Sequence, residues 1–222
     1  TGVQTCALPI SNIIIATKTK ERISKNLNIP KNFINLFIFK NEQNKENINK
    51  PITLSHQYVV KKAVKQNFKY VMIFEDDIQF LEPSVFKKQL NIFLKSGTKW
   101  DVILLAGNNV PPYIRVHDCA IKVGHCQTTT GYIVNRHYYD TLMTNIRDGL
   151  GRLLQHPQNH NAFAIDKFWI QLQKRDKWFL ITPLTVTQRE GYSDIEQRHL
   201  NYSDLMTDLD KEKFPIRQRQ NP

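Results

Sequence analysis

The sequence is poor in cysteine and has no long apolar run. Its three cysteines, Cys6, Cys119 and Cys126, show no C-x-x-C spacing, so the pattern predicts neither a disulfide framework nor a zinc site. No apolar run approaches the roughly 20 residues of a transmembrane helix. No segment has the charged start, apolar middle and cleavage site of a signal peptide. We therefore expect a soluble protein of the cytoplasm, without a transmembrane segment.

Acidic residues are also scarce relative to basic ones, which gives the chain a net charge of +11. Most of this excess lies before residue 71, where 12 Lys and Arg stand against 3 Glu. Such a surface can attract nucleic acid or an anionic membrane. The lysines are scattered among Asn and Ile, however, without the aromatic interleaving that stacks bases. A solvated basic face is the favoured interpretation, and no nucleic-acid partner is expected.

The length predicts one folded domain with a real core, since 41% of the 222 residues are hydrophobic. Residues 1–11 resemble the translation of a sequencing adapter, and we expect them to be a non-native segment outside the fold. The sequence assigns residues 12–200 to the domain and residues 201–222 to a polar tail.

Three consecutive carboxylates, Glu75, Asp76 and Asp77, follow the apolar run Tyr70–Phe74 directly. A short apolar run of this kind predicts a buried strand of an α/β sheet, whose carboxyl end faces the ligand crevice. Three neighbouring acids repel one another and need a cation or several donors to remain ionised. The alternative is structural, since acids also mark the exit from a strand or cap the next element.

The remaining patterns alternate between strand and helix, as an α/β fold requires. Strands are predicted near residues 12–16, 33–39, 100–106 and 178–186, and a flexible loop over the crevice at residues 41–50. Helices are predicted across Val59–Val64, from Pro83 to about Lys95 with Gly97 as its stop, and over residues 138–154.

Several polar residues in this scheme are candidates for a site, each with a structural alternative. Thr17 and Arg22 follow the first strand, where they suit a nucleotide's phosphates or uracil. His56 lies near a predicted helix start, although a packed, hydrogen-bonded histidine fits equally well. Three threonines at 128–130 precede Gly131, and the favoured alternative is a Thr-rich edge strand. Asp166 begins a helix, where capping alone would explain it.

Four segments, in this order, resemble glycosyltransferase family 25, which includes bacterial lipooligosaccharide galactosyltransferases and the galactosyltransferase domain of procollagen enzymes. They are Leu54-Ser55-His56, Phe74-Glu75-Asp76-Asp77, Thr130-Gly131-Tyr132, and Ala164-Ile165-Asp166 with the later residues 188–195. They span nearly the whole predicted domain. Pro51-Ile52 replaces the Gly-Cys that commonly precedes the Ser-His step.

The resemblance implies a GT-A-like single domain, with a Rossmann-like mixed sheet flanked by helices. It implies transfer of a galactose-like sugar from a UDP-sugar to a hydroxyl of a glycan or protein acceptor, with inversion. It also implies a divalent cation, Mn²⁺ or Mg²⁺, bound by Asp77 and Glu75. The residues expected to bind substrate are Thr17, Arg22, Ser55, His56, Glu75, Asp76, Thr130, Gly131, Tyr132, Gln188, Tyr192, Ser193 and Asp194.

Asp166 is the candidate general base of the implied reaction. At a helix start we expect a lowered pKa, because the helix dipole and capping donors favour the ionised form. Three alternatives remain open: a metal-dependent phosphoryl-transfer enzyme, a basic nucleic-acid or glycan-binding module, and a transferase-like fold without activity. A binding module predicts salt-dependent binding without turnover.

Overall fold

The computed structural model describes residues 13–15, 34–36, 49–193 and 198–212. Three predicted site residues, Thr17, Arg22 and Asp194, lie outside the described residues. So do residues 1–11 and the greater part of the predicted loop at residues 41–50. Predictions for these positions stay predictions.

Fourteen strands are found in the described part of the chain. They are β1 (Ile13–Ile15), β2 (Ile34–Leu36), β3 (Tyr70–Phe74), β4 (Ile78–Phe80), β5 (Val102–Leu104), β6 (Asn108–Asn109), β7 (Ile114–His117), β8 (Ala120–Lys122), β9 (Cys126–Gln127), β10 (Gly131–Asn135), β11 (Trp178–Ile181), β12 (Val186–Gln188), β13 (Gly191–Ser193) and β14 (Arg198–Leu200).

Seven α-helices accompany them in the same ranges. They are α1 (Asn49–Lys65), α2 (Pro83–Lys95), α3 (Tyr139–Gln155), α4 (His160–Phe163), α5 (Ile165–Phe168), α6 (Ile170–Arg175) and α7 (Ser203–Thr207). Two 3₁₀ turns, Arg136–Tyr138 and Pro157–Asn159, flank α3.

The centre of the fold is a six-stranded mixed sheet with the strand order β3, β10, β5, β11, β8, β7. Strands β5 and β11 pair in parallel, whereas β10 runs antiparallel to both β3 and β5. Four two-stranded pairs surround it, and β4 with β12 is the pair that matters for the site. The predicted α/β class, with a mixed sheet flanked by helices, is confirmed.

Both faces of the sheet are buried, because side chains alternate along each strand and helices cover both sides. Along β3, Met72 and Phe74 pack into a cluster with Phe86 and Phe93 of α2. The intervening side chains enter a second cluster with α1, α3, α5 and α6. This double burial explains why the strand is an unbroken apolar run.

Helix α1 begins earlier than its sequence pattern indicates. Pro51 lies in its first turn, where the missing amide proton has no intrahelical partner to lose. His56 therefore lies in the helix interior, so the expectation of a histidine near a helix start was wrong. Thr53 and Ser55 likewise lie inside the helix and do not cap it.

The predicted last strand is two strands, because Pro183 interrupts it and lacks the amide proton that a ladder needs. Helix α2 agrees with its pattern, with Pro83 at its start and Gly97 at a left-handed φ of 76° just beyond its end.

Residues 201–212 form part of the packed structure. Met206 of α7 is fully buried in the cluster that includes Phe74 and Phe86. No helix within the described ranges has the length and apolar character needed to cross a membrane.

Candidate active site

The three acids lie in the tight turn that joins β3 to β4. The Glu75 amide donates to the Thr130 carbonyl at 2.9 Å, which ties the turn to the start of β10. The Arg189 amide donates to the Asp77 carbonyl at 2.8 Å, which ties it to the end of β12. The acids are therefore fixed by two neighbouring segments at the edge of the sheet.

Glu75 is the hub of the polar contacts in this turn, with 23% of its side chain exposed. The Thr129 hydroxyl donates to Oε1 at 2.5 Å, and the Gln188 amide reaches Oε2 at 3.5 Å. His56 Nε2 lies 3.6 Å from Oε1. Donors from three separate segments thus surround one carboxylate.

His56 is held by a buried tyrosine behind it. Its Nδ1 lies 2.8 Å from the Tyr132 hydroxyl, and only 4% of the histidine side chain is exposed. Burial and the nearby Glu75 raise the pKa of Tyr132, so the phenol keeps its proton. With that hydroxyl donating to Nδ1, the ring proton lies on Nε2 and faces Glu75.

Asp77 has one satisfied oxygen and one orphan. Oδ2 accepts from the Gln188 amide at 3.0 Å, whereas Oδ1 is buried with no hydrogen-bond partner. Burial, followed by the charges of Glu75 and Asp76, raises the pKa of Asp77 to about 7. Near neutral pH the Asp77 carboxyl group is therefore only partly ionised. The contribution of Glu75 and Asp76 is the repulsion between neighbouring acids that the sequence predicts.

Asp166 is the second residue of α5, and Ala164 occupies the N-cap position. Its Oδ2 accepts from the Thr128 amide at 3.2 Å, in a different segment. Capping therefore does not explain Asp166. Burial raises its pKa, with Glu75 adding to the effect and Lys167 opposing it. The expected lowering was wrong, because desolvation outweighs the charge of Lys167 and the backbone donors that favour the ionised form.

The segment Thr128-Thr129 holds Asp166 and Glu75 next to each other. Thr128 has a φ of 82°, a conformation that β-branched residues rarely adopt, and its amide binds Asp166 while the Thr129 hydroxyl binds Glu75. Thr130 is buried, and its hydroxyl donates to that of Thr128 at 3.2 Å. Strained backbone of this kind clusters at active sites.

The strand that follows is internal, because β10 pairs with both β3 and β5. The Thr-rich edge strand weighed in the sequence is therefore not what forms. Gly131 is enclosed by side chains: a Cβ there would lie 2.9 Å from Ile78 Cδ1 and 3.4 Å from Phe74 Cδ1. Close packing beneath the acidic turn therefore explains why this position is a glycine.

The other predicted site residues are distributed around this core. Asp76 is exposed, and Ser55 is partly buried one residue before His56. Tyr192 is 58% exposed and packs edge-on against His199, in the hairpin of β13 and β14. Ser193 lies in the same strand.

Sequence reasoning missed Arg189 as a contributor to the site, and it named Thr129 only as one of three threonines without predicting its bond to Glu75. The Arg189 side chain donates to the Asp76 carbonyl at 3.0 Å, in addition to its backbone bond to Asp77. Arg189 directly follows Gln188, which was predicted to bind substrate, so the sequence signal lay one residue away. The pairing of β12 with β4, which brings both to the acids, has no signature in either segment alone.

The acids have the chemistry of a hard-cation site. Glu75 and Asp77 offer carboxylate oxygens on one turn, and the buried Oδ1 of Asp77 lacks a partner. No group of three or more potential metal-ligating side chains occurs in the described ranges. Mg²⁺ nevertheless commonly binds through one or two carboxylates, with waters and substrate phosphates completing its shell. The residues present fit a cation of that type.

A comparison with protein families matches residues 47–150 to glycosyltransferase family 25, described as an LPS biosynthesis protein. This range contains α1, the acidic turn and the Thr128–Tyr132 segment. A search of curated proteins found no match.

Several solved structures share features of the fold at low similarity. A197 from STIV has 9% identity and a TM-score of 0.45, with 85% of this chain and 91% of that chain covered. A glycosyltransferase involved in the glycosylation of the major capsid of PBCV-1 has 12% identity and a TM-score of 0.38, with 77% and 94% covered. Mannose-1-phosphate geranyltransferase from Thermus thermophilus has 9% identity and a TM-score of 0.36, with 76% and 58% covered.

Similarity at this level carries no functional argument, so the assignment rests on the family match. The resemblance found in the residues and the matched range agree on the same family. Residues 47–150 of this chain match the model of glycosyltransferase family 25.

Proposed function

We propose that this glycosyltransferase moves a hexose, of the galactose type, from a UDP-sugar to a hydroxyl of a glycan or protein acceptor, with inversion and with a divalent cation. One observation carries the proposal. Glu75 and Asp77 of the acidic turn meet Asp166 of α5, with Thr128-Thr129 linking Glu75 to Asp166 and Gln188 linking Glu75 to Asp77.

Asp77 and Glu75 would hold the cation, Mn²⁺ or Mg²⁺. When bound, such an ion neutralises charge that develops on a leaving nucleoside diphosphate. Gln188 keeps the two carboxylates in register through its amide, while His56 and Thr129 restrict the rotation of Glu75. These donors orient the acids in advance, which lowers the cost of organising the site.

Asp166 is the proposed general base toward the acceptor hydroxyl. A base works best when its pKa approaches the working pH, and burial moves the pKa of Asp166 upward, in that direction. The Thr128 amide donates to Oδ2. The carboxyl group is therefore fixed in orientation without a neutralising salt bridge.

A two-metal phosphoryl-transfer site requires acids clustered from several strands, and no group of three or more potential metal-ligating side chains occurs among the described residues. The net charge of +11 remains the basis of the binding-module alternative. Metal-dependent turnover of a UDP-sugar separates the transferase from that module.

The test is a transfer assay on the Asp166→Asn variant. A panel of UDP-sugars is assayed for UDP release and glycoside formation with Mn²⁺, and with a chelator as the metal-free arm. We expect transfer to require metal and to fall roughly 10²–10⁴-fold in Asp166→Asn, because the amide keeps the Thr128 contact but cannot accept the proton. UDP affinity should be retained.

Asp148→Asn is the matched control, since Asp148 is exposed on α3. Near-normal transfer by Asp166→Asn would remove Asp166 from the mechanism and direct attention to Glu190 or Asp194. Salt-dependent nucleic-acid binding without any UDP-sugar turnover would favour the binding module instead.

A further inference from the structure

A row of basic and polar side chains that the proposed reaction does not use lies beside Asp166. Its members are His125, Gln127, Lys167 and Lys174. The Lys167 ammonium donates to Gln127 Oε1, and Gln127 Nε2 lies 2.8 Å from His125 Nε2. Because Lys167 fixes the amide oxygen on its own side, the amide nitrogen must donate to the imidazole. His125 Nε2 is therefore an acceptor, and the ring proton lies on Nδ1.

This row is held rigidly in place from behind. Gln173 of α6 is fully buried and makes two bonds to the backbone of Cys126, the residue between His125 and Gln127. The Cys126 amide donates to Gln173 Oε1 at 2.7 Å, and Gln173 Nε2 donates to the Cys126 carbonyl at 2.7 Å. A paired contact of this kind fixes β9 against α6, so the row is organised before any ligand binds.

The row is cationic and reaches solvent. Burial lowers the pKa of His125, and the charges of Lys167 and Lys174 lower it further. His125 and Lys167 are partly buried and Lys174 is exposed. The Lys167 ammonium, held by Gln127, and the charge of the exposed Lys174 thus act beside one neutral N–H donor, which is a suitable set for an anion.

We propose that His125, Lys167 and Lys174 bind an anionic group, a phosphate or a carboxylate, on the acceptor glycan. The proposal rests on the proposed function, because it takes Asp166 as the base for the acceptor hydroxyl. Gln127 is followed directly by Thr128, whose amide binds Asp166. A substituent held by the row therefore lies beside the hydroxyl that Asp166 would deprotonate.

The order of contacts argues for the acceptor and against the donor's diphosphate. From Gln127 to Thr129 the segment meets first Lys167, then Asp166, then Glu75. Asp166 thus contacts this segment between Lys167 and Glu75, one of the acids of the proposed cation site. In an inverting transfer the base and the leaving diphosphate are on opposite sides of the reacting carbon, so the lysines fall on the acceptor side.

The test measures binding of three related glycosides to the protein with Mn²⁺ and UDP present. The probes are methyl glucoside, its 6-phosphate and methyl glucuronide, titrated calorimetrically. We expect the two anionic glycosides to bind about tenfold more tightly than the neutral one, since bonds to charged groups exceed neutral ones by about that factor. The double variant Lys167→Gln/Lys174→Gln should lose the preference.

Lys88→Gln is the matched control, because Lys88 is exposed on α2, which covers the opposite face of the sheet. Lys167→Arg keeps a charged donor and should keep the preference, provided that its melting temperature shows a folded protein. Equal affinity of the wild type for all three glycosides, or a preference that survives in the double variant, would overturn the proposal.

A loss of UDP affinity in the double variant would also overturn it, by assigning the lysines to the donor. Binding is measured without turnover. A failure of transfer therefore counts against the proposed function, whereas a missing anion preference counts against this subsite.

Discussion

The fold provides few interactions that stabilise the ionised side chain of Asp77. Gln188 donates a hydrogen bond to one carboxylate oxygen, whereas the other oxygen is buried without a partner. The charges of Glu75 and Asp76 repel the ionised group. Its pKa of about 7 lies far above the ordinary value of 3.8. A carboxyl group whose pKa is raised in the native state stabilises the fold in its protonated form. This contribution is complete below the unfolded pKa and is lost as the pH rises through the native pKa.

We therefore predict that Asp77→Asn stabilises the metal-free protein in a pH-dependent way. The amide keeps an oxygen for Gln188 and carries no charge. The melting temperature of the variant should match that of the wild type near pH 4. Its advantage should grow up to about pH 7 and then level off, at roughly 2–4 °C for each kcal/mol gained.

Thermal unfolding from pH 4 to pH 9 in the presence of a chelator provides the measurement. Asp148→Asn, an exposed acid, should show no such growth. A stability difference independent of pH would mean that Asp77 is ordinarily ionised in the native state.

The single residues were predicted unevenly, and the reason is physical. The acids at 75–77 were found because the strand before them is an unbroken apolar run. The pKa of Asp166 and the position of His56 in its helix were misjudged, since a helix start was taken to determine both. Their environments are set by Thr128 and Tyr132, which are distant in sequence.

At the scale of elements, β10 supports the acidic turn from below. Gly131 lies opposite Phe74 in the ladder, and Ile78 closes over it from β4. We predict that Gly131→Ala destabilises the fold by about 1–3 kcal/mol, because the new methyl group would overpack a site with no free space. Chemical denaturation measures the change.

A compensating variant tests this cause. Ile78→Val removes the Cδ1 atom that the new methyl group would meet at 2.9 Å. The double variant should therefore recover part of the loss, so the two changes should not add. Gly151→Ala, in α3, meets nothing within 4 Å and should be neutral or slightly stabilising. Additive losses in the double variant would show that the methyl group is accommodated elsewhere.

The elements with strong local patterns were predictable from sequence, and those defined by pairing were not. Pro83 and Gly97 delimit α2 by their own backbone preferences. The strand predicted across residues 178–186 breaks at Pro183, a breaker that the apolar run concealed. The pairing of β12 with β4, which completes the acidic turn, depends on the whole fold.

At the scale of the whole molecule, ligand binding should couple to unfolding. A ligand at 100 times its dissociation constant stabilises a protein by about 2.7 kcal/mol, or about 5–11 °C at this size. We predict such a rise with Mn²⁺ and UDP together and a smaller one with either alone, because the acids and the phosphates would share the cation.

Asp77→Asn should abolish the combined rise. Sodium chloride at equal ionic strength is the control for the chain's net charge of +11. A rise of equal size in Asp77→Asn would place the bound ion elsewhere.

The partners of Glu75 are far from it along the chain. Thr129 is 54 residues away and Gln188 is 113 residues away. Closing such long loops costs entropy that only the finished fold recovers. A nascent or partly folded chain therefore carries the acids without their donors and without an oriented Asp166. Catalytic competence is in this sense a property of the completed topology, and a fragment that ends at residue 150 would retain the family's matched range but not its proposed base.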